Sequence, residues 1–148
     1  MASLAQTSAT TTLYVSATLP ATYDTATFAA LTWVKVAEIS SIGAYGGKTA
    51  VVKHIPVDTA TVVKRSGSQD FGTINLTMAR HSGADFTALT AAFSDRQPRA
   101  FKVALPTALA QTDYFTGIVT SNVTNIGNAD KILESQVDIE LDNAVLTA

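Results

Sequence analysis

Alternation of apolar and polar residues dominates the second half of the chain. Between Thr73 and Ala79, Ile74, Leu76 and Met78 take every second place, with Thr73, Asn75, Thr77 and Ala79 around them. A period of two puts the two sets on opposite faces of a β-strand, one apolar and one small, polar and uncharged. Phe101, Val103 and Leu105 repeat the pattern up to Pro106, and Val137, Ile139 and Leu141 repeat it among Gln136, Asp138, Glu140 and Asp142. The Thr-rich run Asp113–Val123 predicts another strand, and Gly127-Asn128 supplies the turn before the last one. Leu31–Ile42, rich in β-branched residues and ending at Gly43, reads as one early strand.

One segment carries the longer period. Ser82-Gly83-Ala84-Asp85 matches a helix start with an acidic residue three places after the cap. Phe86, Leu89, Ala92 and Phe93 then recur at helical spacing until Arg96-Gln97-Pro98 ends the run, so Phe86, Leu89 and Phe93 are the expected core face. Strands with a single helix predict a mainly β fold, a β-sandwich or open barrel with one flanking α-helix.

Two stretches lack such a period. Residues 1–30 mix Ala, Ser and Thr with few large apolar side chains, and burying so little cannot offset the entropy of ordering a chain. They read either as a disordered leader or as an N-terminal arm, flexible until assembled on a neighbour, ahead of a β-sandwich domain over 31–148. Residues 43–61 contain Gly46-Gly47 and Pro56 and read as a long loop carrying at most a short hairpin. Val62–Lys64 then starts a short strand, with Ser66-Gly67-Ser68 as a turn.

Composition removes several classes of chemistry. The 148 residues include 24 Ala and 22 Thr, only 15% are charged, the net charge is −2, and there is no cysteine. Disulfide scaffolds, thiol nucleophiles and thiolate metal sites are therefore excluded. No apolar run approaches the ~18–20 residues that span a bilayer, and Met1–Thr7 has neither the basic nor the apolar part of a secretory signal. The expectation is a soluble chain made in a cytoplasm, with no membrane binding. A slightly acidic chain without clustered Lys and Arg is also poorly suited to gripping phosphates.

The remaining motifs are weak. Gly43-Ala44-Tyr45-Gly46-Gly47-Lys48-Thr49 is one residue short of a phosphate-binding loop and lacks a helix after it. His54 and His81 have no ligand partner at metal spacing, although Asp70 or Asp85 could join His81 in a fold. No Gly-x-Ser-x-Gly elbow occurs, and Asp138, Glu140 and Asp142 read as one solvated acidic stripe. The sequons at Asn75 and Asn122 are ordinary in a Thr-rich chain. Catalytic residues, metals and cofactors are accordingly not expected.

The order of features carries a resemblance. Glu38-Ile39-Ser40-Ser41-Ile42-Gly43 precedes the long loop, followed by Lys64-Arg65-Ser66-Gly67-Ser68-Gln69-Asp70-Phe71-Gly72 and the alternating strand. The helix Asp85–Phe93 comes next, then Arg99–Pro106 and Phe115-Thr116-Gly117-Ile118-Val119. From Leu31 to Leu141 this pattern resembles the tail tube protein, or major tail protein, of bacteriophages with long, non-contractile tails. The resemblance implies a non-enzymatic virion protein, assembled in the host cytoplasm into hexameric rings that stack into a tail tube. Its subunits form a continuous β-barrel around a lumen that holds a tape-measure protein and later the ejected DNA, neither bound specifically, and tail terminator and tip proteins are further partners.

On that reading Thr73, Asn75, Thr77, Asp138, Glu140 and Asp142 are candidates for the lumen face, where like charge would let DNA slide. Gly46, Gly47, Lys48, Lys53 and His54 are candidates for an inter-ring loop. Ring closure would also cover the sheet edges that a β-rich chain otherwise exposes. Competing readings are another virion component, a tail terminator or capsid decoration protein, and a soluble β-sandwich binding module. The last would display clustered aromatics, whereas this chain has one Trp and four Tyr.

Overall fold

A computed structural model describes residues 4–148. In chain order its elements are β1 (Thr12–Ser16), α1 (Thr25–Ala29), β2 (Val34–Val36), β3 (Ile39–Ile42), β4 (Lys48–His54) and β5 (Val63–Asp70), then β6 (Thr73–Ala79), α2 (Ala84–Asp95), β7 (Arg99–Ala104), β8 (Thr112–Asn125), β9 (Glu134–Leu141) and β10 (Leu146–Thr147). One antiparallel sheet runs β2-β1-β7-β8-β9-β6-β3, with β10 beside the first part of β8, and β4-β5 form a separate pair. The fold is mainly β with one substantial flanking helix, α2, as the patterning predicts.

Connectivity forces this sheet to curl. Strands β2 and β3 are its opposite edges, yet only Ala37 and Glu38 separate them in the chain. Laid flat at ~4.8 Å per strand, the edges would stand about 29 Å apart, while three Cα–Cα steps reach at most about 11 Å. The result is an open barrel with its core inside. Leu13, Val15, Ile74, Leu76, Met78, Phe101, Val103, Phe115, Val137 and Ile139 fill it, joined by Leu89 and Ala92 of α2. The expected single strand over 31–42 is therefore corrected to two strands on opposite edges.

The corner between them is held from a distance. Glu38 takes a left-handed φ of 60°. The Ala37 N–H donates to Asp85 Oδ2 at 2.8 Å, and the Ala79 N–H donates to the Glu38 carbonyl at 2.9 Å. His81 Nε2 sits 2.9 Å from the same Asp85 carboxylate. Asp85 thus clamps the corner. The expected cap at Ser82 is replaced by Gly83, which makes no side-chain cap bond.

This clamp has a pH signature. The Ala79 carbonyl, and after it the Asp85 carboxylate, raise the His81 pKa. Burial pushes the Asp85 carboxyl up, but the Ala37 N–H and His81 outweigh it and hold it below its usual value. The His81 contribution is present below its unfolded pKa of about 6.5 and is lost as pH rises through the higher folded value. The Asp85 contribution is present above about 3.9 and is lost as pH falls through its lowered value. The pair should therefore stabilise most between about pH 4 and 6.5. In His81→Gln the alkaline decline should vanish, as read from urea midpoints across pH; equal declines in both proteins would exclude the clamp as its source.

Residues 12–30 belong to the same fold as the rest of the chain, which corrects the expected arm over 1–30; its first three residues lie outside the described residues. Strand β1 pairs with both β2 and β7. Helix α1, capped by Asp24 through the Thr27 N–H at 2.7 Å, buries Phe28 against Ala100 and Tyr114. Tyr23, Leu31 and Trp33 complete this lid on the outer face of β1, β7 and the start of β8. A few large side chains do the burying there, and the Ala and Thr between them made the segment look featureless.

Helix α2 also turns differently from expectation. Leu89 is fully buried and Phe86 partly, but Phe93 is 41% exposed. The buried row is Asp85, Leu89 and Ala92, so Phe93 falls to one side of it. Leu89→Ala is expected to cost about 2–5 kcal/mol and Phe93→Ala less than about 1 kcal/mol. Urea denaturation of the two variants should separate them clearly, and equal losses would mean that Phe93 is core.

Candidate functional site

Two surface features stand apart from the packed core: the β4–β5 hairpin and the uncovered half of the sheet's outer face. The long loop expected over 43–61 is in fact the first leg and tip of this hairpin. Lys48 pairs with Asp70, Thr49 with Gln69, Val52 with Arg65, Lys53 with Lys64 and His54 with Val63. Ser66-Gly67-Ser68, expected as a turn, lies inside β5. A Cβ on Gly67 would come within 3.0 Å of Val52 Cγ2, so glycine there permits close approach of the two strands near an irregular register. Every residue of β4 is exposed.

The hairpin's base is anchored on both legs. Before it, the Tyr45 ring packs at a tilt with its centroid 5.7 Å from that of Phe115, and its hydroxyl donates to Asp113. Burial, and then Asp113, push the Tyr45 pKa up, so the hydroxyl keeps its proton and stays a donor. After the hairpin, Phe71 packs on the core. Two glycines lie just outside these legs' strand pairing, Gly46 at φ 138° and Gly72 at φ 83°. A Cβ on Gly72 would lie 2.9 Å from the Gly46 carbonyl oxygen. Asp70 Oδ1 accepts the Gly72 N–H at 2.9 Å, completing a fixed exit for the arm.

Of the five residues expected in an inter-ring loop, Gly46 and Gly47 lie at this base. Lys48 opens β4, and Lys53 and His54 lie at its far end. Lys53 directly opposes Lys64, and like charges facing one another across a ladder weaken it. The arm is thus cationic: over 48–70 it holds Lys48, Lys53, Lys64 and Arg65 against Asp58 and Asp70.

The uncovered sheet face is built from β6, β9 and the end of β8. Thr73 pairs with Glu140, Asn75 with Asp138 and Thr77 with Gln136, so these side chains share one face, opposite buried Ile74, Leu76, Val137 and Ile139. Thr73 Oγ1 donates to Glu140 Oε2 at 2.8 Å, and Ser121 Oγ donates to Asp138 Oδ2 at 3.0 Å. Among the described residues the ion pairs are His81–Asp85 and Arg99–Asp95, so neither Asp138 nor Glu140 is neutralised by a paired cation. Asp142 lies just past β9, where Thr116 Oγ1 donates to it, near the lid rather than amid the open face. Five of the six candidates are therefore brought together, and Asp142 marks their margin.

The acid–histidine possibility resolves into structure: Asp85 joins His81, and both are engaged at the Ala37 corner. Among the described residues no three His, Asp or Glu cluster as metal ligands, and no helix is long and apolar enough to cross a membrane. Sequence reasoning missed the anchors Tyr45 and Phe71. It also missed an apolar end formed by Ile126, Ile132 and Leu133, whose one signal was large apolar residues flanking the Gly127 turn.

No family model matches the sequence, and no curated protein sequence matches it. Solved structures match its fold. A chain from the tail of the empty gene transfer agent particle, refined with helical C6 symmetry, has a TM-score of 0.70 at 12% identity, covering 97% of this chain and 99% of that one. The PVC sheath/tube terminator, from an extracellular contractile injection system, gives 0.68 at 13% identity, covering 93% and 92%. The SPP1 tail tube gives 0.64 at 10% identity, covering 93% of this chain and 75% of that one. At such identities the likeness is one of fold.

Proposed function

We propose that this chain is a structural subunit of a tail tube, assembling in copies of itself into stacked rings of six. The observation that carries the reading is the match of nearly the whole chain, end to end, to a component of a helical C6 tail. Three features of the subunit support it. The edge strands β2 and β3 are each paired on one side only, which a neighbour in a ring would cover. The uncovered face of β6 and β9 is small, polar and acidic, and among the described residues no Lys or Arg pairs with its carboxylates. The hairpin extends beyond anything its own subunit needs.

In the proposed ring Thr73, Asn75, Thr77, Asp138 and Glu140 face the lumen, with Asp142 at its rim. Unpaired carboxylates there would repel nucleic-acid phosphates and deny them the counterion-releasing contacts that make DNA stick. A tape-measure protein and then DNA would pass this surface without specific binding, and the barrel would be continuous only once the rings close. The hairpin, with Gly46, Gly47, Lys48, Lys53 and His54, would reach the next ring. The N-terminal residues before β1 would serve as a second bridging arm. The role is architectural and belongs to the virion tail. The same fold occurs in the SPP1 tail tube and in contractile injection systems, so the proposal concerns the tube and is independent of a sheath.

Negative-stain microscopy of the purified chain tests this. Stacked rings or tubes with a central channel are the expected result. Isolated rings that never stack would favour a terminator, and a protein monomeric at all concentrations would overturn the reading.

A further inference from the structure

Nine of the fourteen large hydrophobic residues exposed in the described chain fall into two groups. Val51, Val52, Ile55, Val57 and Val62 line the hairpin, and Val57 at its tip is 100% exposed. Val123, Ile126, Ile132 and Leu133 surround the β8–β9 connection. Strand β6 places these groups at opposite ends of the subunit. It begins at Thr73, just after the hairpin, and ends at Ala79 opposite Glu134, where the Arg80 N–H donates to the Leu133 carbonyl at 2.8 Å. Six residue steps at ~3.3 Å separate these ends by about 20 Å.

Ile126 and Ile132 of the second group line a recess of about 330 Å³ together with Gly127, Asp130 and Glu134. Its shape is held by Gly127 at φ 67° and by Asn128 Oδ1, which accepts the Asp130 N–H at 3.1 Å. The charges of the two ends are opposite. The hairpin's far end presents Lys53, Lys64 and Arg65 with Asp58 in the tip, a net positive end on which Lys53 and Lys64 face each other. The recess itself presents Asp130 and Glu134 with Lys131, a net negative lining, while Glu38 and Arg80 both lie at the same end of the subunit.

We propose that the hairpin tip of one copy docks into the 126–134 recess of a second copy, Ile55 and Val57 entering it and Lys53 and Lys64 meeting Asp130 and Glu134. The inference rests on the tube-subunit reading and names the receptor that the arm engages. Donor and receptor lie on opposite ends of one chain, so the contact is head-to-tail. Each added copy presents a fresh recess, and the contact propagates along the β6 direction instead of closing on itself. Burial of Ile55 and Val57 drives the contact. The charges set its register, and salt should weaken it.

The absence of cysteine makes a cross-linking test clean. Val57→Cys and Ile132→Cys are made as separate chains, then mixed under assembly conditions with a mild oxidant. A disulfide-linked dimer in the mixture, and none in either variant alone, is expected. Glu134→Lys should reduce its yield, and pairing that chain with Lys53→Glu/Lys64→Glu should restore it. Tubes that form without the mixed dimer would overturn the docking and leave the tube reading standing. Failure of both tubes and dimer would overturn both, whereas the dimer without tubes would support the docking and count against the tube.

Discussion

Phe115→Ala is expected to cost about 3–5 kcal/mol, the upper range for a core aromatic. Phe115 is fully buried on β8, the strand at the middle of the sheet, and its ring lies 5.6 Å from Phe101 and 5.7 Å from Tyr45. Its neighbours on β7 and β8 are fixed by the ladder, so they cannot collapse into the space left behind. Against a total stability of roughly 5–15 kcal/mol, such a loss leaves little margin. At about 2–4 °C per kcal/mol for a chain of this size, the melting temperature should fall by about 10 °C. The measurement belongs at concentrations below assembly, because subunit contacts would mask the loss by mass action. Tyr45 would lose its ring partner as well, loosening one anchor of the hairpin. A melting curve unchanged from the parent would mean that the ring contributes nothing to the core.

What could be read from the sequence follows from which residues are buried on one face only. Strands β6 and β9 alternate cleanly because one side of each meets the barrel interior, and their faces are in register, with Thr73 beside Glu140 and Asn75 beside Asp138. The misreadings share a different cause: contacts from far along the chain. The break between β2 and β3 depends on Asp85 capturing the Ala37 N–H, which nothing local in Leu31–Ile42 announces. Gly67 looks like a turn residue until the Val52 side chain, diagonal to it across the hairpin, is placed against it. Phe93 has helical spacing from Phe86, but the inner row of α2 is set by what lies beneath it, and that row passes through Leu89 and Ala92. The recess at 126–134 is built by a loop without a period, so alternation had nothing to say about it.

Removing residues 49–69 and joining Lys48 to Asp70 through an Asn-Gly dipeptide should leave a folded subunit that no longer forms tubes. Folding is spared because the arm supplies no buried residue to the barrel: every position in β4 is exposed, and in β5 only Val63 and Gly67 are partly covered. Lys48 and Asp70 are already a cross-strand pair, and a two-residue type I′ turn closes such a pair without splaying it. Tyr45 and Phe71, the anchors on the core, stay in place. Assembly is lost because the five exposed hairpin hydrophobics go with the arm. Fully burying such a side chain is worth about 1.5–3 kcal/mol, and each 1.4 kcal/mol is about tenfold in affinity. Even after a large discount for the ordering that binding demands, the affinity between successive rings should fall by several orders of magnitude. Circular dichroism melting close to that of the parent, together with sedimentation and negative stain showing only subunits or single rings, is the expected outcome. Tubes of normal length from this variant would place the stacking contact elsewhere on the subunit, and a variant that fails to fold would show that the arm supports the barrel after all.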